Sequence, residues 1–81
     1  SFLYDTLSKV KEGFGTKSAT EWTQWVEDQF EERPDLKLEY FEIAEADTLE
    51  TAREIQDGKQ YRAFIAAYSG DIRLIDNIAL N

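Results

Sequence analysis

The first part of the chain carries apolar residues at the three- and four-residue spacing of an α-helix. Within residues 2–14 these positions are Leu3, Leu7, Val10 and Phe14. The spacing predicts one amphipathic helix, and Gly13 and Gly15 are the residues expected to end it. No capping residue is recognised before Phe2. We therefore expect an uncapped helix, either the tail of a longer helix or one separated from its upstream cap.

A second amphipathic helix is predicted directly downstream. Ser18 followed by Glu21 matches a capping box, with Thr20 as a competing cap. The apolar stripe that follows consists of Trp22, Trp25, Val26 and Phe30. A stripe at this spacing is typical of a core-facing side, so we interpret the two tryptophans as core residues and not as a binding platform. The helix is expected to end near Pro34, which disfavours helical backbone in the residue before it.

The pattern then shortens to the two-residue period of β-strands. Residues 36–46 alternate and then shift phase, which predicts a strand with a bulge or with apolar side chains on both faces. Asp47 and Thr48 are expected to cap a short helix around 49–55, and residues 57–59 to form a turn.

The end of the chain is predicted to be a β-hairpin. Residues 60–68 and 72–80 form its strands, and Ser69–Asp71, with Gly70 at its centre, forms the turn. The predicted fold class is α+β: two N-terminal helices packed on a small three-stranded antiparallel sheet, with the short helix between strands 1 and 2. Both faces of the last two strands are apolar, and two helices cover only one face. We therefore expect one domain over 1–81 that lacks a partner for its second face.

Composition restricts the function. The chain has 81 residues with 17 acidic and 9 basic side chains, a net charge of −8. This charge argues against binding nucleic acid or an anionic membrane. There is no apolar run of about 18 residues. The absence of cysteine excludes disulfides and thiolate metal sites and fits a cytoplasmic location. The absence of methionine leaves the chain without a start residue, so we expect a processed product or an excised piece of a larger protein, and we favour the excised piece.

No catalytic apparatus is recognisable. The chain has neither histidine nor cysteine, so its serines have no imidazole base. Residues 13–15 lack the Lys and Ser/Thr of a phosphate-binding loop. The paired carboxylates fit solvated faces and turns. We accordingly predict no catalytic, cofactor-binding or metal-binding residue in this chain.

Asp76 and Asn77, an acid beside an amide between two apolar runs, are the strongest candidates for chemistry. On a strand, Arg73 and Asn77 point to one face and Asp76 points to the other. We interpret Asp76 as a structural hydrogen-bond acceptor and expect Arg73 to pair with a carboxylate at the sheet edge, since buried polar groups are normally satisfied structurally.

The segment AAYSGDIRLIDN, residues 66–77, resembles the C-terminal signature of the pantothenate synthetase family, the pantoate–β-alanine ligases. The residues that carry this resemblance are Gly70, Arg73, Leu74, Ile75, Asp76 and Asn77. Upstream, YFEIAEADTL is similar to another family segment through Tyr40, Ile43, Thr48 and Leu49. Glu45 and Ile72 depart from the family, which usually has Asp and Thr there.

The resemblance implies a two-domain enzyme that condenses pantoate with β-alanine through a pantoyl adenylate, using ATP and Mg²⁺. It implies an N-terminal nucleotide-binding domain with a His-x-Gly-His motif, absent here, which also forms a homodimer. Residues 1–81 would be the end of a hinged C-terminal lid, and the Met-Ser-Ser-Arg-Asn stretch would precede Ser1. The resemblance also implies that the lid alone binds no nucleotide tightly and is inactive.

Two other interpretations remain open from the residues alone. One is an acidic protein-interaction module whose exposed apolar sheet face binds a partner. The other is a small ligand-binding domain. An upstream nucleotidyltransferase domain in the reading frame would favour the ligase, and a start codon directly before Ser1 would favour the module.

Overall fold

The polar–apolar pattern produces two helices followed by three strands in the computed structural model, which describes all 81 residues. The elements are α1 (Phe2–Glu12), α2 (Ala19–Glu31), β1 (Lys37–Glu45), β2 (Tyr61–Ser69) and β3 (Ile72–Ala79). The strands form one antiparallel sheet in the order β1-β2-β3. The predicted α+β class, the two helices and the three-stranded sheet are confirmed. Neither helix is long and apolar enough to cross a membrane.

Helix α1 is capped, and the expectation of an uncapped helix was wrong. The Ser1 hydroxyl accepts a hydrogen bond from the Tyr4 N–H at 3.3 Å. Serine satisfies one of the free N–H groups of a first turn well, and the cap here is the first residue of the sequence. The helix ends at Glu12, and the Gly13 N–H bonds to the Lys9 carbonyl.

Helix α2 begins with the predicted capping box. The Ser18 hydroxyl accepts the Glu21 N–H at 3.1 Å, and the Glu21 carboxylate accepts the Ser18 N–H at 2.9 Å. This bond to the Ser18 backbone lowers the pKa of Glu21, since it favours the charged carboxylate. Trp22 is buried as predicted, whereas Trp25 is only partly buried and contacts the Trp22 ring edge-to-face at 5.5 Å.

The predicted short helix around 49–55 is absent. Leu49 has a φ of 61°, a left-handed conformation that interrupts a helix. The Asp47 carboxylate accepts the Thr48 N–H, and the Thr48 hydroxyl accepts the Glu50 N–H, so local side-chain bonds replace helical ones. The segment then follows the free edge of β1, where the Ala52 N–H donates to the Ile43 carbonyl at 2.8 Å.

The strand pairing contains one irregularity, the predicted bulge. The register of β1 against β2 shifts between Leu38 and Tyr40, whereas β2 pairs with β3 without a shift. The hairpin closes through Gly70, whose φ of 60° suits the first central position of a two-residue turn.

The two faces of this sheet differ. One, which we call the helix face, is covered by α1 on β3 and by α2 on β1. Its strand residues in the buried core are Phe41, Ile43, Tyr61, Ala63, Ile65 and Ala67. The opposite face, which we call the open face, has no helix over it. The large side chains of its centre are Tyr40, Phe64, Tyr68 and Ile75.

Candidate functional site

The candidate residues of the RLIDN segment, residues 73–77, occupy most of β3, and strand geometry divides them between the two faces. Arg73, Ile75 and Asn77 pair with Tyr68, Ala66 and Phe64 and lie on the open face. Leu74 and Asp76 pair with Ala67 and Ile65 and lie on the helix face. The side chains of this segment therefore do not converge on one point. Side chains that act together on one substrate atom would converge.

Arg73 is held by a carboxylate on the far edge strand. Its Nε donates to Glu39 Oε1 at 2.7 Å, which connects β3 to β1 across β2. This hydrogen bond raises the pKa of the Arg73 guanidinium. Glu39 lies at the bulge between Leu38 and Tyr40, where the extra residue changes the direction of the side chains.

Asp76 and Asn77 make different hydrogen bonds. Asp76 is half-buried, and its Oδ1 accepts the N–H of the next residue, Asn77, at 2.8 Å. Asn77 Oδ1 accepts Arg62 Nη1 at 2.6 Å, a bond between β2 and β3. Asp76 thus supplies an acceptor to the main chain of an edge strand, while Asn77 connects the two strands of the hairpin.

The remaining candidates lie elsewhere. Tyr40 is on the open face, opposite Ala66. Thr48 and Leu49 lie in the turn after β1, where Leu49 is exposed. Gly70 is at the hairpin tip. The structure thus brings four candidates, Tyr40, Arg73, Ile75 and Asn77, onto the open face. Leu74 and Asp76 lie on the helix face, and Thr48, Leu49 and Gly70 lie in turns.

One cleft of about 470 Å³ touches the RLIDN segment. It is lined by Ser1, Phe2, Leu3, Arg33, Asp35, Leu36, Ser69, Arg73, Leu74, Ile75 and Asp76. Both of its arginines are already paired. Arg33 donates two hydrogen bonds to Asp35, which lower the pKa of that carboxyl, and Arg73 is bonded to Glu39. A cleft whose cations are paired has little capacity to bind an anion.

The chain offers no set of residues for a metal ion or a covalent intermediate. No group of three or more His, Cys, Asp or Glu side chains is close enough to hold a metal. The Mg²⁺ that the resemblance implies therefore has no fitting ligand set among these residues. With no histidine or cysteine, no serine has an imidazole base and there is no thiolate.

The prediction that Arg73 pairs with a carboxylate at the sheet edge is confirmed, but the sequence did not identify which residues are the partners. Glu39 and Arg62 were not singled out, although they hold Arg73 and Asn77. The signal for Arg62 was available, because two strands joined by a two-residue turn fix which residues share a face. Asn81 was also missed: its side chain accepts the Tyr61 N–H at 2.8 Å and donates to the Lys59 carbonyl at 2.9 Å.

Comparison with known families decides what this arrangement belongs to. The family model described as pantoate-beta-alanine ligase matches residues 1–79. The chain belongs to this family. The ligase family accounts for both segments on which the resemblance was based, residues 40–49 and 66–77, since both lie inside the match.

Individual relatives agree with this assignment. The chain is 58% identical over its full length to a pantothenate synthetase of Christiangramia forsetii, and 49% identical over 99% of its length to that of Flavobacterium psychrophilum. It spans only 29% and 28% of those relatives, in their C-terminal part. The crystal structure of pantothenate synthetase from Thermus thermophilus superposes with a TM-score of 0.77 at 26% identity, covering 96% of this chain and 28% of that one.

Proposed function

We propose that residues 1–81 form the end of the C-terminal lid domain of a pantothenate synthetase. The observation that carries the proposal is the full-length match to the C-terminal part of relatives more than three times as long. In this proposal a nucleotide-binding domain precedes the lid in the same polypeptide, binds pantoate, β-alanine and ATP with Mg²⁺, and forms the homodimer. The enzyme would act in the cytoplasm.

The proposed reaction has two steps. The pantoate carboxylate attacks the α-phosphorus of ATP, and pyrophosphate leaves. The β-alanine amine then attacks the acyl carbon of the pantoyl adenylate, and AMP leaves with the electrons of the broken C–O bond. Water is a competing nucleophile in the second step, so the adenylate needs a closed site.

The role of this chain in that reaction would be to exclude water. A lid needs rigidity and a complementary surface more than reactive groups. The described residues fit that requirement, because the two helices and one face of the three-stranded sheet form a packed core. No hydroxyl among them has an imidazole base, because the chain contains no histidine.

The proposal is tested with three proteins: the 81-residue chain, the longer protein that contains it, and the longer protein truncated before Ser1. We expect ATP-dependent pantothenate formation only from the longer protein. The truncated form should release more AMP than pantothenate, because water hydrolyses the exposed adenylate. Pantothenate formation by the chain alone, or equal AMP and pantothenate from the truncated form at the full rate, would overturn the proposal.

A further inference from the structure

The open face has an apolar centre that none of the 81 residues covers. Its side chains, in rows across the three strands, are Tyr40, Phe64, Ala66, Tyr68 and Ile75. Ile75 is 67% exposed and Tyr40 is 40% exposed. Scattered exposed apolar residues are ordinary, but these are neighbours on one surface, which is typical of an interaction site.

Polar groups surround this apolar centre and are bonded to one another. The Arg73–Glu39 pair lies at the Tyr68 end, and Arg62 bonded to Asn77 lies at the Phe64 end. At the β1 edge, the Thr51 hydroxyl donates to the Glu42 carboxylate. An apolar centre inside a satisfied polar border is the anatomy of a protein–protein interface.

The charges on this face differ from those of the whole chain. The charged side chains that reach it are Lys37, Glu39, Glu42, Arg62 and Arg73. Three of these are basic and two acidic, although the chain carries −8 overall. Most of the acidic residues thus lie away from the open face. Two copies, each at −8 and each presenting a slightly basic face, repel one another, so a second copy is a poor occupant.

The position of Ser1 indicates a better occupant. Under the proposed function, on which this step rests, the larger part of the polypeptide precedes Ser1, because the chain spans 29% of its Christiangramia relative and matches its C-terminal part. Ser1 lines the same cleft as Arg73, Leu74 and Ile75. The preceding polypeptide therefore joins this chain beside β3, at the border of the open face.

We propose that the open face is the docking surface for the preceding domain of the same polypeptide, which meets it with an apolar patch. A covalent connection beside the surface gives that domain an effective concentration of the order of millimolar, so even a weak contact is made within the molecule. The helix face holds the lid together, and the open face closes on the rest of the enzyme.

Two isoleucines of β3 provide a matched test. Ile75 on the open face is 67% exposed, and Ile72 on the helix-face side is 66% exposed. The chain contains no cysteine, so I75C and I72C each introduce the only thiol among these residues. Maleimide labelling of each thiol is followed by mass spectrometry of its peptide, in the 81-residue chain and in the longer protein.

In the 81-residue chain we expect similar labelling rates for the two variants. In the longer protein, the I75C thiol should react at least about tenfold more slowly, since a lid with an open population of about 10% or less protects its docking surface by that factor. The I72C thiol should keep its rate. Equal I75C rates in the chain and the longer protein would overturn the docking surface. Concentration-dependent protection of I75C in the chain alone would overturn it in favour of a second copy.

Pantothenate formation by the unmodified longer protein separates this inference from the proposed function. If the longer protein forms pantothenate but its I75C thiol is unprotected, only the docking surface is refuted. If the longer protein forms no pantothenate, the proposed function is refuted.

Acetylation of tyrosines in the unsubstituted protein is a second experiment, which avoids any folding defect of the variants. Tyr40 on the open face should be protected in the longer protein, whereas Tyr4 on α1, which is 54% exposed, should not. Equal acetylation of Tyr40 in the chain and the longer protein would contradict the docking surface.

Discussion

The two faces of the sheet use the same strand in different ways. On the helix face of β2, Tyr61, Ala63 and Ile65 are at most 1% exposed beneath the helices. On the open face of the same strand, Phe64 is only partly buried, because no helix covers that face. Ala66 is fully buried on the open face because larger neighbours surround its methyl group. Along β2, therefore, the exposure of the large side chain Phe64 distinguishes the uncovered face, and that of the small Ala66 does not.

The largest loss of stability is expected when a buried side chain on the helix face is shortened. Leu7 is 0% exposed and belongs to the core, so Leu7→Ala should lower the free energy of unfolding by about 3 kcal/mol. Ile75→Thr on the open face keeps the strand preference and should change it by less than about 0.5 kcal/mol. Urea denaturation of the 81-residue chain measures both.

If Leu7→Ala leaves too little folded protein, Ile65→Val is a milder core variant, expected to cost about 1 kcal/mol. A loss for Ile75→Thr as large as that for Ile65→Val would contradict the assignment of stability to the helix face.

The second prediction concerns how closely the residues after α1 pack against Trp22 of α2. A Cβ at Gly13 would lie 2.8 and 2.9 Å from the Trp22 ring atoms Cη2 and Cζ2. Gly13→Ala should therefore displace the indole and destabilise the chain by about 1–3 kcal/mol. Gly15→Ala meets no atom within 4 Å, although its φ of 98° makes alanine strained there.

Tryptophan fluorescence distinguishes the two glycine variants, because only Gly13→Ala should shift the emission of the folded state. An unchanged spectrum together with unchanged stability would mean that the helix layer has room that the structure does not show.

A third, smaller effect concerns the capping box of α2. Ser18→Ala should cost about 1 kcal/mol, because the Glu21 N–H loses its acceptor. The pKa of Glu21 is lowered in the folded state, chiefly by the Ser18 backbone N–H. Its contribution to stability is therefore present above its ordinary value of 4.5 and is lost as the pH falls through the lower folded value.

Glu21→Gln should remove that part of the acid dependence, measured as the free energy of unfolding between about pH 7 and pH 2. If the free energy of unfolding falls with the same slope at acid pH in Glu21→Gln and in the parent chain, the capping carboxylate does not contribute to that acid dependence.

The smallest effect is expected on the open face, at the exposed Arg73–Glu39 pair. Such pairs contribute little, because water and salt screen them and two long side chains must be ordered. Arg73→Gln should change the free energy of unfolding less than any variant above. A double-mutant cycle with Glu39→Gln should show a coupling that disappears at about 1 M salt, where the screening length is about 3 Å. A large coupling that persists in salt would make this pair a structural element of the fold.

Much of the fold followed from local patterns. The capping box of α2, the bulge in β1 and the Gly70 hairpin were each predicted from a few adjacent residues. The short helix after β1 was predicted in the same way and was wrong. There the turn residues bond to one another, and the chain pairs with the edge of β1, a contact between segments that a local window does not contain.

The candidate site was predictable only in part for the same reason. The alternation of β3 gave the faces of Arg73, Asp76 and Asn77 correctly. Their partners depend on the register of neighbouring strands, and the bulge that positions Glu39 shifts that register by one residue. The proposed function rests on the resemblance and the family match, because the described side chains form no motif that by itself identifies an enzyme.

In the proposed enzyme the RLIDN segment stabilises the lid and does not react with substrate, and substitution of Asp76 distinguishes these two roles. Asp76→Ala removes the acceptor of the Asn77 N–H and should lower the free energy of unfolding of the chain by about 1 kcal/mol. Asp76→Asn keeps an acceptor oxygen and should retain most of that stability. In the longer protein, pantothenate formation by both variants should fall no further than their folded fraction. Unchanged stability of Asp76→Ala together with lost pantothenate formation would contradict the account.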